Sequence, residues 1–288
     1  MATAREIRSR IGSIKNTKTI TRAMEMIAAS KLKKARDRME ASRPYAEKAR
    51  EVIAHLSQAH PEYQHPYLIR RDFKTIGMIV ISTDRGLCGG LNASLFKRVL
   101  QELKHYQAQG VGVRMAVIGH KGEQFFKRLR CEIVAYAHHL GDQPQIAELI
   151  GSVKVMLDAY VAGEIDGLFL FSNHFHSTIS QKPVMEALLP ITAGTQKTNL
   201  AHRWDYIYEP DAKSLLNLLL TRYIESQVYQ GVIENIACEQ ASKMLAMKNA
   251  TDNAGDLIKS LRLQYNKARQ ALITKELAEI VSGADAVD

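Results

Sequence analysis

The chain has 288 residues, 46% of them hydrophobic and 24% charged. That balance can bury a core, and the length suits one large domain or two ordinary ones. No run of about 18 uncharged apolar residues is present, which excludes a helix spanning a membrane. The first residues, MATAREIRSRIGSIKN, lack an apolar signal core, so export is not expected. Cys88, Cys131 and Cys238 are odd in number and far apart, which argues against a disulfide framework or a structural zinc and fits a reducing compartment.

Positive charge is concentrated at one end. Residues 1–60 carry 14 Lys and Arg against 6 Asp and Glu, and the remaining chain carries 25 against 24. Such asymmetry points to an acidic partner: nucleic acid, anionic lipid or an acidic protein surface.

Glycine and proline, costly inside helices, divide the chain into three. Of 17 glycines, 13 lie between positions 77 and 194, and the prolines run from Pro44 to Pro210. The expected organisation is a helix over 1–60, a compact domain over 61–210 and a helix over 211–288. In the first segment, small or apolar residues recur at Ile7, Ile11 and Ile14, then Ile20, Met24, Ile27, Leu32, Ala35 and Met39, continuing to Leu56. Alternating steps of four and three make a coiled-coil seam, with a register slip between Ile14 and Ile20. Pro44 is expected to kink this helix, and Pro61 and Pro66 to stop it.

The middle segment alternates strands with helices. TIGMIVIS (75–82), RMAVIG (114–119), EIVAYA (132–137) and DGLFLFS (166–172) read as buried strands. Helical spacing falls at roughly 92–105, 121–130 and 145–162. This alternation predicts an α/β domain with a mainly parallel sheet.

From Asp211 to about Ser282 the chain holds no proline. Leu216, Leu220, Ile224, Val228, Val232 and Ile236 form one stripe; Leu257, Leu261, Tyr265, Ala268 and Leu272 form another. A helix of about 72 residues spans roughly 110 Å and needs a partner, for which the first helix is the obvious choice. An antiparallel pair joined by one small domain places Met24 nearly level with Lys243. It leaves roughly the last 20 residues unpaired, counting 1.5 Å per residue on both helices.

Catalytic chemistry was sought along the same chain. STDRGLCGGLN (82–92) sits where a phosphate-binding loop would, between strand and helix, but its G-x-x-G-G matches neither the dinucleotide pattern nor the P-loop. A tight turn is the expected reading, with a nucleotide-dependent enzyme as the alternative; Gly86, Gly89 and Gly90 are then structural. His138-His139 and His174/His176 suggest a metal only if further ligands join them. Cys88 is the thiol most worth testing for reactivity. The basic run KLKKARDR (31–38) lies on the seam-bearing helix without aromatics to stack bases. It reads as a solvated coiled-coil face or a contact for an acidic protein, ahead of a nucleic-acid-binding coiled coil.

IRSRIGSIKNTKTITRAMEMIAASKLKKA (7–35), STDRGLCGGLN (82–92) and residues 225–284 resemble the γ subunit of F-type ATP synthase, in its bacterial form, over essentially the whole chain. The resemblance implies a long antiparallel coiled coil of the terminal helices with a central Rossmann-like α/β domain. It also implies a non-catalytic rotor shaft without cofactor, and no nucleic acid as partner. The shaft would stand inside three α and three β subunits, its foot with ε on the c-ring of the membrane sector. Proton flow would turn it, at the cytoplasmic face of the bacterial inner membrane, as a peripheral subunit. By the same resemblance Arg269 and Gln270 contact a β loop, and Met24 and Lys243 lie in segments that matter for coupling. Lys31, Lys33, Lys34 and Arg36 are placed by charge to meet an acidic loop of β. Tyr206 and Glu209 lie where the foot meets the c-ring.

Overall fold

A computed structural model describes residues 4–59, 65–191 and 212–285, with side chains described over 4–41, 65–191, 217–280 and at 282. In chain order the elements are α1 (Ala4–Ala59), a 3-10 turn (Pro66–Leu68), β1 (Thr75–Ile81), α2 (Leu91–Ala108), β2 (Gly112–Ile118), α3 (His120–Arg128), β3 (Ile133–Ala137), α4 (Ile146–Val161), β4 (Gly167–Phe175), β5 (Gln181–Leu189) and α5 (Ala212–Asp285). α1 continues past Pro44. Two compact units form: Met1–Ala29 with Lys243–Asp288, and Ser30–Ser242.

The larger unit is a five-stranded sheet in the order β3-β2-β1-β4-β5. β1, β2, β3 and β4 run parallel, and β5 returns antiparallel on β4. Central strands are buried on both faces: Ile76, Met78, Ile79, Val80 and Ile81 of β1 are all 1% exposed or less. This is why they read as continuous apolar runs rather than as alternating ones. One face packs Leu149, Val153, Met156 and Tyr160 of α4, together with Leu220, Ile224, Val228 and Val232 of α5. The other packs Leu95, Phe96, Val99 and Leu103 of α2 and Phe126 of α3.

Two strands depart from expectation. EIVAYA is an edge strand, with Val134 and Tyr136 36% and 54% exposed, rather than a buried one. Its register shifts against β2 between Met115 and Ala116, where Val134 is the extra residue, a bulge of the kind found at sheet edges. β5 has no counterpart in the sequence reading, because its polar residues and Pro183 mask the pattern. An edge position tolerates both.

The smaller unit is the antiparallel helical pair, and its seam differs from the expected one. On α1 the buried or half-buried positions are Ala4, Ile7, Ile11, Ile14, Lys18, Thr21, Met24, Glu25 and Ala28. The heptad therefore runs on unbroken through Lys18 and Thr21. Ile20 and Ile27, assigned to the seam from sequence, are 60% and 56% exposed. On α5 the matching series is Met247, Thr251, Ala254, Ile258, Leu261, Tyr265 and Ala268, with Leu257 and Leu272 exposed.

A hydroxyl pair explains the polar seam. Thr21 Oγ1 and Thr251 Oγ1 lie 2.8 Å apart, and each hydroxyl also reaches a backbone carbonyl of its own helix, Lys18 O at 3.1 Å and Met247 O at 2.8 Å. The Lys18 ammonium lies over Gly255, 3.1 Å from where a Cβ would stand. A buried polar pair costs little when both groups are bonded, and it singles out one register.

Thr21 is thus level with Thr251, and Lys18 with Gly255. Met24 then lies opposite residue 248, about 7 Å along the axis from Lys243 at 1.5 Å per residue. Expected result: Thr21→Cys with Thr251→Cys gives an intrachain disulfide on mild oxidation, and Met24→Cys with Lys243→Cys gives far less. Equal yields, read by gel shift before and after reduction, would contradict this register.

Candidate partner-binding surface

The glycine loop was the natural place to look for chemistry. It follows β1, which has β2 on one side and β4 on the other. In open α/β sheets this reversal of strand order opens a crevice for ligands. Here α5 fills it. Gly231 comes so close that an added Cβ would stand 3.0 Å from Ile81 Cδ1 and 3.3 Å from Leu170 Cδ2. One turn further on, Glu234 Oε1 accepts from Phe175 N at 2.9 Å, Asn235 Oδ1 accepts from Asn173 Nδ2 at 2.9 Å, and Cys238 donates its thiol hydrogen to Asn173 O. Burial pushes the Cys238 thiol pKa far up, so it is a packed group rather than a nucleophile.

The loop also bonds to itself. Asn92 Nδ2 donates to Thr83 Oγ1 at 2.7 Å, Thr83 Oγ1 donates to Arg85 O at 2.7 Å, and Asn92 Oδ1 accepts from Thr83 N. At the start of α3 the Asp84 carboxylate accepts from His120 N at 3.0 Å, occupying the position an anion would take. Gly89 has φ +57, whereas Gly90 sits at φ −88 and Gly86 meets only a lysine methylene at 3.8 Å. Only one of the three glycines singled out is therefore required by backbone conformation. Cys88 is buried with Leu91 and Cys238.

The histidine pairs are structural neighbours. His174 and His176 have ring centroids 5.7 Å apart, and His174 Nδ1 lies 3.3 Å from Glu234 Oε1. The ring centroids of His138 and His139 lie 4.6 Å apart with the rings tilted by 46°, and each ring is roughly parallel to that of His120. Among the described residues no group of three or more His, Cys, Asp or Glu is gathered as a metal would need.

The residues assigned to partner contact separate into held and unheld. Lys31 Nζ is 2.6 Å from Asp142 Oδ2, and Arg38 donates to Asp142 O at 2.9 Å, so part of the basic run binds the β3–α4 loop of its own unit. Both ends of the Lys31–Asp142 bridge are roughly half exposed, and such a pair contributes about 0.2–1 kcal/mol. Arg36 reaches Glu40 at 3.4 Å, while Lys33 and Lys34 are exposed. Met24 and Lys243 are half-buried in the helical pair. Tyr206 and Glu209 lie outside the described residues.

Arg269 and Gln270 follow Ala268, the last half-buried position of the α5 seam; every residue from 269 to 280 is exposed. That stretch carries Leu272, Ile273, Leu277 and Ile280 at 46–68% exposure. Further down the same unit Ile20, Met26, Ile27 and Leu263 are also more than half exposed. A helix surface with this much uncovered aliphatic side chain is a contact surface for something else.

Comparison with known proteins names the family. A family described as ATP synthase matches residues 3–287. The ATP synthase gamma chains of Nitrosococcus oceani and Legionella pneumophila are 59% and 57% identical, each aligned over 100% of both chains. The chain belongs to the ATP synthase gamma-chain family. As such it is a non-catalytic subunit of that complex, in keeping with a crevice filled by its own helix. The fold is shared with distant relatives. The rotor of the Euglena gracilis mitochondrial ATP synthase superposes with TM-score 0.67 at 20% identity, covering 94% of this chain and 98% of that one. The Tetrahymena thermophila central stalk superposes at 0.60 and 24% identity, covering 80% and 99%.

Proposed function

We propose that this chain is the central rotor shaft of its ATP synthase. Residues 1–60 and 211–288 form the shaft and 61–210 the foot. The shaft stands within three α and three β subunits. The foot rests with ε on the c-ring, at the cytoplasmic face of the bacterial inner membrane, and proton flow supplies the torque.

One observation carries this reading: the helical pair ends in about a dozen residues of α5 that are all exposed, with Leu272, Ile273, Leu277 and Ile280 uncovered among them. A low-specificity apolar surface suits a sleeve in which it must slip. A one-sided shaft cannot touch three equivalent β subunits alike. Differential contact is what lets a partner shift a conformational equilibrium, and rotation passes the bias from site to site. Polar grips on the slippery surface are supplied by Arg269 and Gln270, with Lys33 and Lys34 facing acidic β surface lower down. Met24 and Lys243 act indirectly, by setting the packing of the pair. Tyr206 and Glu209 are assigned to the c-ring contact.

The test is a tether. Leu272→Cys in the complex purified from native membranes, joined to the surrounding ring through a cleavable thiol–amine cross-linker, should stop ATP hydrolysis. Cleavage of the linker should restore it. Full turnover by a fully tethered complex would overturn the rotor reading.

A further inference from the structure

The edge of the sheet at β3 is open in a way that its opposite face is not. Among the described residues no strand pairs with the outer side of β3, so its backbone amides and carbonyls present an unfilled ladder. Between that edge and α4 lies an open groove of about 570 Å³, lined by Val134, Tyr136, His138, Glu148, Gly151 and Val155. Ala135, Ala137, Leu140 and Val155 make much of its lining apolar. Gly151, in the middle of α4, keeps it open: a Cβ added there would meet nothing within 4 Å.

The charges around the groove are one-sided in what they leave available. Its acids are engaged within the chain. Glu132 is held by Arg114 at 3.2 Å, Glu123 by Lys127 at 2.6 Å, and Glu148 Oε2 accepts from Gln145 N at 2.9 Å. The bases at the start of the strand are not. Arg128 and Arg130 are exposed and form no ion pair among the described residues.

The geometry points to a docking site on this edge for an extended strand of another subunit, apolar on the side facing α4 and flanked by acidic residues. Backbone pairing with β3 supplies affinity, and the groove beneath takes alternate side chains. A second copy of this chain is the wrong occupant: its β3 edge carries the same unpaired Arg128 and Arg130, and its nearby acids are engaged, so it offers no acidic flank. The inference rests on the chain's place in a multisubunit complex, but not on which residues grip the ring.

Hydrogen exchange tests it on the complex purified from native membranes and on the full-length chain alone. β3 amides should exchange at least about tenfold more slowly in the complex, since pairing removes the open edge. A photoactivatable phenylalanine analogue at Val134 should cross-link to an acid-flanked extended segment of another subunit. Gly151→Leu fills the groove; it should leave the unfolding midpoint of the lone chain unchanged or higher while abolishing that cross-link. Equal exchange in both states, a cross-link to a second copy of β3, or a cross-link that survives Gly151→Leu overturns the proposal. If those results come from a complex whose turnover still stops on tethering at residue 272, the docking site fails and the rotor reading stands.

Discussion

Arg269→Ala combined with Gln270→Ala is expected to lower ATP hydrolysis by the assembled complex about 10- to 100-fold. These residues open the exposed stretch of α5 and are its first polar pair, amid Ala268, Ala271, Leu272 and Ile273. Gln270 uses its own carbonyl to accept from Thr274 Oγ1, which leaves its side-chain amide to the surroundings. Arginine offers a rigid fork of donors suited to carboxylates and backbone carbonyls of a partner loop. A partly buried charge-assisted bond contributes about 1.5–3 kcal/mol, and each 1.4 kcal/mol is about tenfold in a rate. Because neither side chain packs within the chain, assembly should survive, and subunit stoichiometry on a gel checks that. Wild-type turnover in fully assembled, coupled complexes would remove the grip from these two positions and leave the shaft in place.

Gly119→Ala should destabilise the larger unit by at least about 3 kcal/mol, a large part of the usual 5–15 kcal/mol of folding stability. Gly119 links β2 to α3 at φ +97 and ψ 135, where an L side chain is strained by roughly 1–3 kcal/mol. In addition, its Cβ would stand 2.3 Å from the Ser82 carbonyl oxygen, a backbone atom with no flexible end to yield. The Ser82 hydroxyl fills the same turn, lying 3.1 Å from Ile118 O and accepting from Gly122 N at 2.9 Å. Gly90→Ala is the matched control, because that glycine has an ordinary φ of −88 and open space around it. It should change stability by about 0.5 kcal/mol or less. Urea unfolding of the full-length chain separates the two. A Gly119→Ala chain within about 1 kcal/mol of the parent would mean that the turn is not built as described.

The linear chain determined its architecture through pattern. Heptad spacing specified the long helices, and for α5 the absence of proline did so too, because only a helix brings every third and fourth residue to one side. Continuous apolar runs specified the buried parallel strands of the α/β sheet. The unequal lengths of the two helices were visible as well, and with them the stretch of α5 that runs on past its partner.

Tertiary structure decided what pattern alone could not. Apolar spacing put Ile20 and Ile27 in the seam, but the fold buries Thr21 and Ala28 instead. Two hydroxyls that bond each other are as good a filling as an aliphatic pair, and hydrophobicity does not record a bond to a residue 230 positions away. EIVAYA is as apolar as a buried strand; what makes it an edge is that no strand among the described residues pairs beyond it. Lys31 is a surface cation until Asp142, from a loop 111 residues on, arrives beside it. The crevice at β1 and β4 is closed to ligands for the same reason: Gly231, lacking a side chain, lets a distant helix come down onto the strands where a cofactor would otherwise lie.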